Sequence, residues 1–204
     1  LVAGTYSVTV TDDNGCEVSS SVTVAEPAIL EATVYSFKPV TCNGAADGII
    51  YYTVEGGTAP YTIVWDNNVT QTIAADGDSA QLVGLNAQVY NAVVTDANGC
   101  IVNMTQSLVD PTLLAISIDG ELVGCPGANN GFVEVTMTGG VTPYQVTWEK
   151  ENVVTYGTQT TSMTTNSITN LTAGTYFVTV TDANGCTLAD TITLNDPTEP
   201  VITV

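Results

Sequence analysis

The sequence predicts an all-β chain of tandem β-sandwich repeats, on three observations. It repeats itself about every 85 residues, its apolar residues alternate with polar ones, and hairpin dipeptides fall between the alternating runs. Leu1-Val-Ala-Gly-Thr-Tyr6-Ser-Val-Thr-Val-Thr-Asp12-Asp-Asn14-Gly15-Cys16 returns closely from Leu171 to Cys186 and more weakly from Leu85 to Cys100, so that Cys16, Cys100 and Cys186 stand 84 and 86 residues apart. Gly48 to Trp65 returns as Gly131 to Trp148, and the acid-Pro pairs Glu26-Pro27, Asp110-Pro111 and Asp196-Pro197 keep the same spacing. The organisation expected is the C-terminal strands of one repeat (1–26), two full repeats (27–110 and 111–196) and the start of another (197–204).

Each element has a local reason. Val133, Val135 and Met137 alternate with Glu134, Thr136 and Thr138, and Tyr176, Val178 and Val180 alternate with Phe177, Thr179 and Thr181. That is the period of a strand with one buried face. Tyr144, Val146 and Trp148 form a third inward set. Gly56-Gly57 and Gly139-Gly140 break the preceding strand before the next begins at Pro-Tyr. Asn14-Gly15, Asn98-Gly99 and Asn184-Gly185 predict type I′ hairpin turns, which need φ > 0 at both central residues. About seven short strands per repeat, with turn signals every 8–12 residues, describe an immunoglobulin-like sandwich repeated along an extended array. Trp65 and Trp148 in the third strand fit the large ring buried between two sheets. Tyr6, Tyr90 and Tyr176 fit a tyrosine corner, and all five aromatics are expected in the core.

Composition excludes several classes. With 2 Lys+Arg, 21 Asp+Glu and no His, the formal charge is −19, and nothing is available to neutralise the phosphates of a nucleic acid. An apolar fraction of 44% in alternating runs argues for a folded protein with an acidic surface rather than for disorder. No stretch is long and apolar enough for a membrane helix, so no membrane insertion is expected. Leu1-Val2-Ala3-Gly4 carries no basic region ahead of an apolar segment, so a secreted precursor is expected to be longer than this sequence. Without His, a phosphate loop or basic neighbours to the cysteines, no enzyme is expected.

Three motifs in combination resemble the SprB repeat family: Leu171 to Cys186, Cys42-Asn-Gly-Ala-Ala-Asp47-Gly48, and Gly56-Gly57-Thr-Ala-Pro60-Tyr61 leading to Trp65. Two places depart from the pattern, Asn86-Ala-Gln88-Val89 and the turn Cys125 to Gly131, where Asn130 replaces Asp. The resemblance implies a long, extracellular surface protein of Bacteroidota exported by the type IX system, a structural or adhesive filament tied to gliding or attachment. Its implied partners are neighbouring repeats of the same chain, laterally associated copies, and a surface polysaccharide or substratum. The alternatives are a carbohydrate- or ligand-binding module, which would group exposed aromatics on one face, and a passive spacer in a large secreted enzyme. Tyr51, Tyr156 and Phe177 read as scattered.

The five cysteines have no CxxC pair and point to disulfides in an oxidising compartment. In an immunoglobulin-like sandwich Cys42 and Cys125 lie at one end and Cys100 and Cys186 at the other, roughly 20 Å apart within one repeat. A bond needs Cα atoms within ~7 Å. The expectation is therefore Cys42–Cys186 across the junction of the two full repeats, with Cys16, Cys100 and Cys125 paired outside the sequence. The alternative is Cys42–Cys100 with Cys125–Cys186. No cofactor is required, but calcium ligands are sought in Asp12 and Asn14, Asp96 and Asn98, Asp182 and Asn184, whose hard oxygens lie on tight turns, and at the junction acids Glu26, Asp110 and Asp196. The competing reading makes each Asp a cap on its own backbone. Under the resemblance, Asp78-Ser79-Ala80 and Asp190-Thr191-Ile192 match an O-glycan acceptor pattern, with Ser79 and Thr191 as the modified residues.

Overall fold

The computed structural model describes residues 1–122, 124–151 and 154–198. Residues 199–204, read above as part of a further repeat, lie outside the described residues. The described chain has 16 strands: β1 (Gly4–Thr11), β2 (Glu17–Val24), β3 (Glu31–Lys38), β4 (Gly48–Glu55), β5 (Tyr61–Trp65), β6 (Thr70–Ile73), β7 (Ser79–Leu85), β8 (Val89–Thr95), β9 (Ile101–Ser107), β10 (Ala115–Glu121), β11 (Gly131–Thr138), β12 (Tyr144–Lys150), β13 (Val154–Thr161), β14 (Thr165–Leu171), β15 (Gly174–Thr181) and β16 (Thr187–Leu194). They form a two-stranded hairpin, β1-β2, and two copies of one topology. One copy pairs a β3-β4-β7 sheet with a β6-β5-β8-β9 sheet; the other pairs β10-β11-β14 with β13-β12-β15-β16. Seven strands split three and four, with the second strand bonded to the fifth and the third to the sixth, make the immunoglobulin-like sandwich.

Inward and outward residues alternate as the sequence demands. Along β11, Val133, Val135 and Met137 are buried, and along β15 so are Tyr176, Val178 and Val180. Trp65 and Trp148 are almost completely enclosed. The indole N–H of Trp65 donates to Gln71 Oε1 (3.2 Å) and that of Trp148 to Asn166 Oδ1 (2.8 Å), so each buried ring keeps a partner for its polar end. Tyr90 and Tyr176 are buried as well. Tyr176 donates to the Thr172 carbonyl at 2.7 Å, and Tyr6 to the Val2 carbonyl at 2.8 Å, the bond that defines a tyrosine corner. In the β1-β2 hairpin the counterparts of those inward valines, Val8 and Val10, are exposed, together with Val18 and Val22.

The double glycines seat the start of each sandwich. Gly56 and Gly139 adopt φ of 71° and 67°, and a Cβ on either would run into the Ile29 or Leu113 carbonyl. Tyr61 and Tyr144 donate from their hydroxyls to the Gly56 and Gly139 carbonyls at 2.6 and 2.5 Å, closing each Gly-Gly-x-x-Pro-Tyr turn on itself.

The Asn-Gly turns differ from expectation. Gly15, Gly99 and Gly185 have φ of 83–87°, but Asn14, Asn98 and Asn184 are not in the left-handed region, so these are not type I′ turns. Gly15 N–H donates to the Asp12 carbonyl (3.0 Å) and Asp12 N–H to the Cys16 carbonyl (3.0 Å), and the same pair of bonds recurs at Asp96 and Asp182. The result is a three-residue loop, a type I turn ending in a left-handed glycine. The cause lies in the aspartate, whose carboxylate reaches the amides of the second and fourth residues beyond it and selects the wider loop.

The chain forms two compact units that do not follow the repeat ends. One comprises Leu1–Phe37, Ile50–Leu82 and Val89–Gln106; the other gathers Lys38–Ile49 and Val83–Gln88 with Ser107–Val204. The second unit thus contains the loop after β3 and the loop after β7 together with the strands from β10 onward.

Candidate functional site

The candidate site lies within the second unit, where the loop after β3 meets the β15–β16 hairpin. The chain leaves β3 at Lys38 and turns tightly at Cys42-Asn43-Gly44-Ala45, with Ala45 N–H donating to the Cys42 carbonyl at 2.9 Å and Gly44 at φ 77°. Asp47 ties the neck of this loop. It accepts Thr41 N–H (2.9 Å), Thr41 Oγ1–H (2.8 Å) and the Lys38 ammonium (3.3 Å). The Thr41 amide foremost, then the Thr41 hydroxyl and Lys38, hold its carboxyl below the ordinary aspartate value against the opposing effect of burial.

On the facing hairpin Asp182 is buried, one of two buried charged residues among those described, the other being Asp96. Its Oδ1 accepts Asn184 N–H and Cys186 N–H, each at 2.9 Å, and its Oδ2 accepts Val141 N–H at 2.9 Å. Asp96 is held in the same way by Asn98, Cys100 and Thr58. Burial pushes its pKa up, but the amides of Cys100, Thr58 and Asn98 outweigh burial and hold the group below the ordinary value.

With the hairpin pinned, Cys186 is bonded to Cys42 with a Cα–Cα distance of 5.7 Å, closing a separation of 144 residues. Asn184 Nδ2 donates to the Thr41 carbonyl at 2.9 Å. On the other side of the turn Gly44 N–H donates to Asp110 Oδ1 (3.0 Å) and Asn43 Nδ2 to the Pro111 carbonyl (3.0 Å). A depression of about 320 Å³ beside the disulfide is lined by Asn43, Thr112, Leu113, Leu114 and Leu188. The arrangement is a covalent joint with polar bracing on both sides of the bond.

The remaining predicted residues fall as follows. Cys16, Cys100 and Cys125 are free and exposed, so the alternative pairs Cys42–Cys100 and Cys125–Cys186 are not formed. The carboxylates of Asp12, Asp96 and Asp182 face backbone N–H donors, an environment that suits an anion. Among the described residues no three acid, Cys or His side chains gather as a metal group. Asp110 and Asp196 accept the amides of Gly44 and Gly127, the glycine of each Cys-x-Gly turn, a capping role that sequence reasoning missed. The recurrence of the acid-Pro pairs, 84 and 86 residues apart like the cysteines, was the signal that could have found it. Ser79 and Thr191 are exposed at the start of β7 and within β16.

The aromatics are less scattered than expected. Tyr35 and Phe37 are exposed on β3, and the Tyr35 ring centroid lies 6.2 Å from that of Tyr51 on β4. Alternation predicts outward residues on each strand, but only the pairing of the two strands brings these rings together. Tyr156 instead packs 6.1 Å from the Tyr176 ring.

A search of the curated proteins finds no match. Solved structures similar to the chain include DIP-gamma IG1+IG2 (11% identity, TM-score 0.40, covering 80% of this chain and 96% of that one). Others are an intimin C-terminal fragment in complex with the translocated intimin receptor's intimin-binding domain (17%, 0.39, 84% and 65%) and the fibronectin(III)-like modules of Clostridium thermocellum CbhA (14%, 0.32, 80% and 93%). The SprB repeat family model matches residues 34–70, from β3 to the start of β6, and residues 123–152, a stretch that includes β11 and β12. The two matched stretches lie at equivalent places in the two sandwiches.

Proposed function

We propose that the chain is a stretch of a long secreted surface protein, a filament or adhesin in which SprB-type sandwiches follow one another and serve attachment or gliding motility. The observation that carries this reading is the Cys42–Cys186 bond, which joins consecutive repeats instead of closing one. Such a bond belongs to an oxidising compartment and is of use to an array. Cys16, Cys100 and Cys125 hold the positions of Cys186 or Cys42 in their own repeats and are read as half-joints to neighbouring repeats. The exposed valines of β1 and β2 are read as the inner face of a preceding sandwich. The role is structural, without catalysis: there is no His, Lys38 pairs with Asp47, and Lys150 bonds to Thr172 and Ala173. Export through the type IX system fits this reading.

The test is antibody labelling of this segment on intact producing cells, with attachment and gliding measured after deletion of the repeats. Labelling without permeabilisation and loss of attachment or gliding is expected; labelling seen only after permeabilisation would overturn the proposal.

One observation favours a second reading, a carbohydrate-contacting module: Tyr35, Phe37 and Tyr51 share one outer sheet face, where ring faces can stack on sugars. Retention by a neutral polysaccharide that is lost in Tyr51→Glu would support it, and equal retention of both proteins would reject it.

A further inference from the structure

The connectivity of the joint has a mechanical consequence. When a chain is pulled from its two ends, tension follows the shortest covalent path. Here that path runs from residue 1 to Cys42, crosses the disulfide to Cys186, and continues toward residue 204. Everything between the two cysteines, from β4 to β15, lies off the path. Both tryptophans and most of both cores belong to that bypassed segment. Tension falls instead on β1, β2, β3 and β16.

We propose that the Cys42–Cys186 bond is a load bypass: it carries tension across the repeat junction and keeps the sandwich cores from being drawn out, while their covalent chain is held in reserve. This rests on the reading of the protein as a surface filament for its biological setting, but not for its physics. The strands left under load bear on cores that cannot be extended, so an unfolding event releases little length. Reduction of the bond by a dithiol, which is itself oxidised to a cyclic disulfide while the two protein thiols are released, returns the hidden chain to the path.

The difference is large enough to read directly. An extended chain spans at most about 3.3–3.6 Å per residue. The 144-residue separation therefore hides about 500 Å of contour length. The experiment is single-molecule stretching of the whole chain held at its termini, first without reductant and then in dithiothreitol, with Cys42→Ser/Cys186→Ser as a second comparison. The expected result is a fully stretched oxidised chain about 500 Å shorter than the reduced chain, with the double variant matching the reduced length in either buffer. Equal final lengths before and after reduction would overturn the proposal. Dithiol on the unsubstituted protein gives the answer even if the double variant folds poorly, because contour length does not depend on starting from a native fold. A short oxidised chain in a protein that labels only inside cells would sink the surface reading and leave the bypass standing.

Discussion

Tyr52 in the first sandwich and Val135 in the second fill the same inward position, each fully enclosed between its sheets. One residue earlier the two copies part company, for Tyr51 corresponds to Glu134. On the adjoining strand Tyr35 and Phe37 correspond to Asp119 and Glu121. The outer face of one three-stranded sheet is aromatic and that of the other is acidic. The hairpins differ in the same spirit. Asn98 donates to Thr58 Oγ1 of its own sandwich at 2.8 Å, whereas Asn184, whose corresponding neighbour is Val141, donates to the Thr41 carbonyl beside the disulfide. The buried pattern specifies the sandwich and is repeated; the outward residues specify what each copy touches and are not. A repeat protein can vary the second without disturbing the first.

The largest expected break in this comparison comes from the shared core. Trp148→Ala should cost about 3–5 kcal/mol by removing a fully buried ring. In a denaturant titration the far-UV signal of the second sandwich should shift to lower midpoint, while Trp65 fluorescence, reporting the first, shifts much less. Next is the pinned hairpin. Asp182→Ala leaves three amides without their acceptor and should destabilise by about 3 kcal/mol or more. Asp12→Ala, whose carboxylate accepts two such bonds in the β1–β2 hairpin, should cost less in the same denaturant titration.

A pH scan sharpens the role of these acids. The folded pKa values of Asp96 and Asp47 are depressed, so their contribution is fully present above the unfolded value near pH 4 and is lost as pH falls through the folded values. The melting temperature should therefore drop as the pH falls below about 4, and the drop should be shallower in Asp96→Asn. The smallest effect belongs to the outer face: Tyr51→Glu, which gives the first sheet the character of the second, should change stability by no more than about 0.5 kcal/mol in the same melt.

Much of the sandwich was legible because its physics is local. A period of two sets Val133, Val135 and Met137 inward whatever lies across from them. The turn at Asn184-Gly185 was misread because the dipeptide was weighed without Asp182, whose carboxylate decides the loop. The joint was legible only in part. Sequence geometry left two cysteine pairings open, and the choice depends on Asp110, Asn184 and Thr41 meeting around the Cys42 turn. Thr41 and Asn184 are 143 residues apart, and no periodicity reports a contact between a side-chain amide and one carbonyl at that distance. The grouping of Tyr35 with Tyr51 was hidden for a related reason, since it requires the pairing of two strands that the alternation of each does not reveal.

The joint is the centre of this account, and mapping its disulfide tests it most directly. Lys38 and Lys150 are the only basic side chains, so the unreduced protein is best cleaved at its acidic residues before mass spectrometry. The account predicts one linked peptide pair containing Cys42 and Cys186 that separates on reduction. A pair joining Cys42 to Cys100 or Cys125 to Cys186, or five unlinked cysteine peptides, would contradict it.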